Sequence, residues 1–207
     1  ISRAMAQQIN KMIETGYVFA FISGTPVIEL QRMISSGLNN SGINNGHHLL
    51  GNNGTCYVEC SGGAFNQIYS YPFTAQEKQE VIAAFEQLIK TENLISLTTK
   101  EDQLQDRGSQ ITLSILGRNA PKALKAQYDS DGRIRIRFID FLHHYLDSQD
   151  SSSKNSKKYD MKIGGTTSID ITRKGQDKAW GMKQFLAYHH YSASEVILFG
   201  DKIYPYG

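Results

Sequence analysis

Cysteine, proline and long apolar runs are scarce in this chain of 207 residues, which has two cysteines and four prolines. Cys56 and Cys60 lie four positions apart in one predicted strand, roughly 13 Å from each other, which is too far for a disulfide. No second cysteine pair is present to complete a four-cysteine zinc site. No apolar run approaches the ~20 residues of a membrane span, and no signal-peptide pattern is visible. We therefore expect a reduced, cytoplasmic setting and no membrane partner.

Excess charge of one sign is also missing, since 22 basic and 20 acidic residues leave a net charge of +2. Nothing global therefore indicates nucleic acid as a partner. Arg133, Arg135 and Arg137 alternate along a predicted helix and so spread around it. We expect them to form a solvated surface, not a nucleic-acid-binding stripe.

The first third of the chain has the pattern of half a βαβ unit. Residues 2–15 have helical spacing, 17–22 form an apolar run typical of a buried strand, and Pro26 suits the first turn of a second helix. The loop Ser23-Gly-Thr-Pro26 follows that strand, at the edge where α/β sheets bind ligands. Ser23 and Thr25 are therefore candidate site residues, although Thr25 also suits a helix cap.

The next region is rich in asparagine and glycine. Leu49-Leu50 and 55–58 are predicted short strands, and Asn52-Asn53-Gly54 between them is typical of a hairpin turn. We expect His47 and His48 to be surface residues on a loop.

Residues 75–172 have the pattern of an α+β module with an antiparallel sheet, inserted between two parts of an α/β core. This predicts domains at 1–74 and 173–207 for the core and 75–172 for the insert. The predicted elements are helices at 75–90 and 133–146, strands at 110–116, 159–163 and 167–171, and a polar loop at 151–158.

The last third is predicted to hold a helix that carries Lys178 and a buried strand, Val196-Ile-Leu-Phe199. Gly200 and Asp201 follow that strand at its carboxyl end. A carboxylate in that place suits Mg²⁺, which is usually held by one or two carboxylates together with phosphate oxygens.

These last motifs, Gly-x-Asp-Lys178 and Phe-Gly-Asp201-Lys-x-x-Pro-x-Gly, resemble those of the haloacid dehalogenase superfamily, subfamily IIB. The closest similarity is to phosphomannomutases and to sugar phosphatases with an α+β cap of the C2 type. The resemblance implies a Rossmann-like core with 75–172 as the cap. It also implies that Ser23 (or Thr25) positions the phosphoryl group, that Lys178 offsets its charge and that Asp201 binds Mg²⁺.

The resemblance also extends to the cap. Arg107 and Arg118 match the arginines that hold a distal phosphate, and a guanidinium suits bidentate capture of such a group. Ser168 and Asp170 match a Ser-x-Asp pair that contacts substrate. Their alternative role is that of ordinary strand residues on one face.

Aspartate is absent before Asp102, so the Asp-x-Asp nucleophile pair of the family is not in the sequence. We expect the N-terminal strand that carries this pair to be missing and the sequence to be an incomplete record of a longer protein. The resemblance implies that the full protein is a Mg²⁺-dependent phosphatase for a sugar phosphate. Alternatives are a phosphomannomutase-type isomerase and a non-catalytic sugar-phosphate-binding relative. Exposed apolar residues on the cap helices could pair two copies into a homodimer.

Overall fold

A computed structural model of the chain describes residues 1–38, 47–61, 64–149 and 158–200. Asp201 and residues 151–157 of the predicted polar loop lie outside these ranges. Within them, no helix is both long enough and apolar enough to cross a membrane.

The first part of the chain forms a four-stranded sheet with helices. In order, its elements are α1 (Arg3–Glu14), β1 (Phe19–Ile22), α2 (Val27–Leu38), β2 (His47–Gly51), β3 (Cys56–Ser61) and β4 (Ala64–Ser70). The strand order is β1-β2-β3-β4; β1 and β2 are parallel, and the other pairs are antiparallel. The carboxyl ends of β1 and β2 therefore meet at one edge of the sheet.

Both helices of this part bury one apolar face in a shared core, and α2 lies against the sheet. Ile9 of α1 and Leu30 and Ile34 of α2 pack in a cluster that also contains Leu49 of β2. The apolar positions of α2 recur at helical spacing, and the helix begins directly after Pro26, whose fixed φ suits a helix start. This packing sets the position of the loop between β1 and α2.

The second part forms a separate, fully antiparallel sheet. Its elements are α3 (Ala75–Thr91), β5 (Leu104–Asp106), β6 (Gln110–Ser114), α4 (Lys122–Tyr128), α5 (Arg133–Gln149), β7 (Tyr159–Gly164) and β8 (Ser168–Arg173). The strand order is β5-β6-β8-β7. One face, with Ile111 and Leu113 of β6, packs against α3 and α5 in its own core. The structure thus confirms an α+β module with an antiparallel sheet, while the domain boundaries at residues 75 and 172 stay a prediction.

The chain crosses between the two sheets after β4 and again after β8, before α6 (Lys178–His189). Arg173 links the two crossings by hydrogen bonds. Its guanidinium donates to the carbonyl oxygens of Tyr71 (3.2 Å) and Pro72 (2.7 Å) and to both carboxylate oxygens of Glu77, at 2.8 and 2.6 Å. It also lies over the ring of Phe73.

Two predicted buried strands are not buried. Val196 is extended, but no strand is assigned over 196–199, and Ile197 and Phe199 are 76% and 82% exposed. The described residues offer this segment no strand to pair with, so its apolar sequence alone does not bury it. The predicted strand at 17–22 begins only at Phe19 and is half-buried, because β1 has a described neighbour on one side only.

Two predicted surface groups are buried. His47 and His48 lie in β2 and are 1% and 5% exposed, since β2 is an inner strand covered on both faces. Arg135 is also buried, because its Nε donates to the Asp129 carboxylate at 2.6 Å and its Nη1 to the Gly165 carbonyl at 2.9 Å. Periodicity placed Arg135 on the helix surface, but the Asp129 turn covers that face.

Candidate active site

The site begins at the carboxyl end of β1, where Ser23 opens the loop to α2. The Ser23 N–H donates to the Leu50 carbonyl of β2 at 3.0 Å. The Thr25 N–H donates to Ser23 Oγ at 3.1 Å. Ser23 Oγ therefore acts as the acceptor that shapes the loop, and its hydroxyl hydrogen remains able to donate to a bound oxygen. Ser23 and Thr25 thus belong to one turn.

A second turn, Asn52–Gly54, follows β2 and lies against this loop. The Asn52 N–H donates to the Thr25 carbonyl at 3.0 Å, and the Asn53 N–H donates to the Ser23 carbonyl at 2.8 Å. All three residues of the turn have positive φ, at 49°, 60° and 88°. Asparagine and glycine adopt this conformation most readily, which is why this composition is found here.

Helix α6 brings Lys178 to the same edge. Asp177 caps the helix by accepting from the Trp180 N–H at 2.9 Å, so that Lys178 is the first helical residue. One turn later, Gly181 packs on Gly54 so closely that a Cβ on Gly181 would lie 2.3 Å from the Asn53 carbonyl oxygen. The close approach of two glycines seats the start of α6 on the turn.

The second sheet closes the site from the other side. Asn52 Nδ2 donates to the Arg107 carbonyl at 2.6 Å, and Asn53 Nδ2 donates to Gln110 Oε1 at 3.4 Å. The Arg107 guanidinium is held by Gln105 Oε1 at 3.0 Å. The turn between β5 and β6 therefore lies directly over the turn that follows β2.

Arg118 lies in a hydrogen-bonded turn, and its side chain contacts helix α2. Its N–H donates to the Asp102 carbonyl, and the Asp102 carboxylate accepts from Thr98 and from the Asn119 N–H. These hydrogen bonds, that from Thr98 first, lower the pKa of Asp102 below its ordinary value. The Arg118 guanidinium pairs with Glu29 of α2 at 2.6 Å. Arg118 is thus engaged by a protein carboxylate where a substrate anion was expected.

A cavity of about 400 Å³ lies between the start of α2 and the second sheet. Arg107 and Arg118 both line it, together with acidic, amide and apolar side chains. The remaining lining residues are Pro26, Ile28, Glu29, Glu101, Leu104, Gln105 and Asp106. The cavity therefore offers charges of both signs beside the Ser23 loop.

Ser168 and Asp170 lie on β8, opposite Ser114 and Thr112 of β6. The hydroxyls of Ser168 and Ser114 are 3.2 Å apart, and Thr112 Oγ1 donates to Asp170 Oδ1 at 2.7 Å. A Cβ on Gly164 would lie 2.5 Å from Asp170 Oδ2, so the glycine leaves room for this carboxylate. Both residues belong to the hydrogen-bonded face of the second sheet, away from its apolar core.

The described side chains contain no cluster of several metal ligands. No group of three or more histidine, cysteine, aspartate or glutamate side chains in the described ranges could hold an ion. The expected ligand Asp201 lies outside those ranges, so its role as metal ligand and catalytic residue stays a prediction.

Sequence reasoning overlooked two residues that join the halves of the site. Asn53 was interpreted only as a turn residue, and Gln110 only as the start of a strand. The available signal was the alternation Gln-Ile-Thr-Leu-Ser in β6, which places three polar side chains on one face. A polar face on a strand that lies inside a sheet needs hydrogen-bond partners, and only the structure shows that β6 is such a strand.

The fold is similar to that of several solved structures. An IMP-nucleotidase of Plasmodium falciparum is 12% identical with a TM-score of 0.57, over 92% of this chain and 52% of that chain. Its ATP-bound structure gives a TM-score of 0.62 at 12% identity, over 92% and 45%. A haloacid dehalogenase-like hydrolase from Bacteroides thetaiotaomicron gives 0.56 at 14% identity, over 97% and 75%. The chain thus spans about half the length of the Plasmodium structures.

The family is shown by a match of the sequence itself. A search of the curated proteins gives no match. The family model of haloacid dehalogenase-like hydrolases, in contrast, matches residues 1–203. The mixed α/β fold, with its parallel strand pair, agrees with a Rossmann-like core of that family. This chain belongs to the family of haloacid dehalogenase-like hydrolases.

Proposed function

We propose that the full protein is a Mg²⁺-dependent phosphatase that hydrolyses a sugar phosphate through an aspartyl-phosphate. The family membership supports phosphatase-type chemistry. One observation supports the site: the Ser23 loop, the Asn52–Gly54 turn and the start of α6 converge at the carboxyl edge of β1 and β2. In α/β folds this edge is where ligands bind.

In this proposal, two side chains of the chain act on the phosphoryl group. The Ser23 hydroxyl, whose oxygen already accepts from Thr25, donates its hydrogen to a phosphoryl oxygen and so orients it. The Lys178 ammonium offsets negative charge as it develops on the transferring group. The nucleophilic aspartate of the proposed reaction is neither of these two side chains.

Mg²⁺ remains part of the proposal because carboxylate-bound Mg²⁺ is a common partner of phosphate groups. When bound, the ion would neutralise charge on the phosphoryl oxygens. Asp201 is the residue of this chain that we propose as its ligand.

The cavity favours a sugar as the alcohol part of the ester. Its lining combines two arginines with the carboxylates of Glu29, Glu101 and Asp106, which suit hydroxyl donors and acceptors. No aromatic side chain is among its described lining residues, so the cavity offers no ring on which a nucleobase could stack.

A phosphomutase would need cap arginines that grip either phosphate of a bisphosphate intermediate. Arg118 is held by Glu29 at 2.6 Å and would first have to leave this carboxylate. Hydrolysis needs no such exchange, and we therefore prefer the phosphatase.

The test measures phosphate release by full-length protein with Mg²⁺ from hexose monophosphates, hexose bisphosphates and IMP. We expect turnover of at least one hexose phosphate. Lys178→Ala or Asp201→Ala should lower its kcat at least ~100-fold, the scale of losing one electrostatic stabiliser. Lys183→Ala is the matched control, because Lys183 is an exposed lysine of the same helix. The absence of turnover with every ester would refute the phosphatase, and conversion of a 1-phosphate to a 6-phosphate would favour the mutase.

A further inference from the structure

On β6, the face of the second sheet opposite to its apolar core is polar and buried. Gln110, Thr112 and Ser114 alternate along β6 with the core residues Ile111 and Leu113 and are only 1%, 1% and 3% exposed. Buried polar side chains are stable only when they are hydrogen-bonded. The partners that they find determine what this face can do.

The partners form one continuous chain of side-chain hydrogen bonds. Thr112 Oγ1 donates to Asp170 Oδ1 at 2.7 Å, and Gln110 Nε2 donates to Thr112 Oγ1 at 3.1 Å. At the other end, Asn53 Nδ2 donates to Gln110 Oε1 at 3.4 Å. The chain therefore runs from β8 across the gap between the sheets to the turn after β2.

The Asp170 carboxylate determines which group donates and which accepts in each of these hydrogen bonds. An ionised Asp170 only accepts hydrogen bonds, so the single hydroxyl hydrogen of Thr112 must point to it. The Thr112 oxygen can then only accept, which turns the NH₂ group of Gln110 toward Thr112. Gln110 Oε1 consequently faces Asn53 and accepts from its NH₂ group.

The consequence appears at the Ser23 loop. With its NH₂ group directed to Gln110, Asn53 turns its Oδ1 toward Gly24, where a Cβ would lie only 3.4 Å from this oxygen. The Asn53 N–H is bonded to the Ser23 carbonyl at 2.8 Å, so the residue cannot move freely away from the loop. Asn53 thus presents an acceptor next to the candidate phosphate site.

We propose that Gln110 is a positioning residue for Asn53. Because the Thr112 hydroxyl donates to Asp170, Gln110 is oriented so that its Oε1 accepts from the Asn53 NH₂ group. Asn53 Oδ1 then faces the Ser23 loop, where it accepts from a hydroxyl group of the substrate. This inference rests on the proposed sugar phosphatase and adds a specificity element to it. An oxygen acceptor at this place favours an alcohol with a free hydroxyl near the ester and repels a second phosphate oxygen.

The test interrupts this series of side-chain hydrogen bonds at Thr112, away from the Ser23 loop. Thr112→Val keeps the shape of the side chain and removes the hydroxyl, and Thr112→Ser restores it. Thr167→Val is the matched control, because Thr167 is a buried threonine just before β8 whose hydroxyl has no hydrogen-bond partner among the described residues. In full-length protein, the side-chain NH₂ resonances of Asn53 and Gln110 report the chain directly by ¹⁵N NMR. We expect Thr112→Val to shift both pairs, and Thr112→Ser and Thr167→Val to leave them near their original positions.

The kinetic readout compares a hexose phosphate with p-nitrophenyl phosphate, whose alcohol part carries no further hydroxyl. Thr112→Val should lower kcat/KM about tenfold more for the hexose phosphate, the scale of one hydrogen bond. Thr112→Ser should restore the ratio, and Thr167→Val should leave it unchanged.

Unmoved Asn53 resonances in Thr112→Val, or an equal loss with both esters, would overturn the proposal. If the unmodified protein hydrolyses neither ester, the proposed phosphatase fails, and the NMR result alone then decides whether Asp170 controls the orientation of Asn53.

Discussion

Replacing Arg173 with alanine should loosen the two crossings between the sheets. Arg173 is the last residue of β8, where the second crossing begins, and Glu77 lies in the first turn of α3, where the first crossing ends. Their bidentate pair therefore joins the two crossings. The same guanidinium satisfies the carbonyls of Tyr71 and Pro72. One substitution therefore removes four hydrogen bonds and a cation–π contact.

The magnitude follows from Glu77. The hydrogen bonds from Arg173, followed by those from Thr74, lower the pKa of Glu77 from its ordinary 4.5 to about 2. At neutral pH this corresponds to roughly 3 kcal/mol of stability. The side chains of Arg173 and Glu77 are only 24% and 12% exposed, so solvent screens the pair little. Part of the shift comes from Thr74 and survives the substitution, but the two carbonyl bonds are lost in addition. We therefore expect Arg173→Ala to cost about 3 kcal/mol.

The pH dependence has a definite sign. Because the pKa of Glu77 is lower in the folded protein than in the unfolded chain, its stabilisation is complete above about pH 4.5. It is lost as the pH falls toward about 2. In Arg173→Ala this part of the acid destabilisation should largely disappear, so the difference between the two proteins should shrink below pH 4.5.

The assay is urea unfolding followed by circular dichroism between pH 2.5 and 7, with thermal melts at pH 7. A cost of about 3 kcal/mol predicts a fall in Tm of roughly 6–12 °C for a chain of this size. The control is Arg133→Ala, since the Arg133 side chain is 86% exposed and pairs with the exposed Asp131. A cost below about 1 kcal/mol, or a difference that is constant across this pH range, would refute the role of the pair.

Three further predictions concern the site and its support. Gly181→Ala should destabilise the protein by roughly 1–3 kcal/mol in urea unfolding, although alanine favours helices, because its Cβ would meet the Asn53 carbonyl at 2.3 Å. The control is Gly37→Ala, whose Cβ would meet the flexible Ile1 side chain at 3.0 Å and Ala6 at an ordinary 3.7 Å, and equal effects would contradict the close packing. Arg118→Ala should raise KM for the sugar phosphate severalfold with little change in kcat if the guanidinium leaves Glu29 to bind substrate, and an unchanged KM would place it outside the site. Tyr57→Phe should cost roughly 2 kcal/mol in the same unfolding assay, because the Tyr57 hydroxyl lies 2.7 Å from both His48 Nδ1 and His189 Nε2; a cost near zero would show that the imidazoles find other partners.

The periodic elements of the fold were predictable from the sequence. Helix α3 begins and ends within a residue of its predicted bounds, because Thr74 and Glu77 form a capping box before a regular apolar stripe. Strands β4 and β5 are not predicted from the sequence, since neither has a strong alternating pattern. The failure at 196–199 has a different cause: an apolar run predicts burial only when other elements are present to cover it.

The candidate site was only partly predictable for a similar reason. Ser23 could be named because it follows the end of a predicted strand, and Lys178 because the motif around it resembles one of the family. Gln110 could not, because its importance comes from Asn53, 57 positions earlier in the chain. The expected role of Arg118 did not include Glu29, which lies 89 positions away.

The sequence by itself determined the family, the helices with clear periodicity and the residue types suited to phosphoryl transfer, because these depend on local order along the chain. Only the tertiary structure decided that His48 and Arg135 are buried, that Gly54 and Gly181 touch, and that Asp170 is connected to Asn53. Such contacts depend on which surfaces meet in space, and a hydrogen bond or a close approach between distant residues leaves no periodic trace in the sequence.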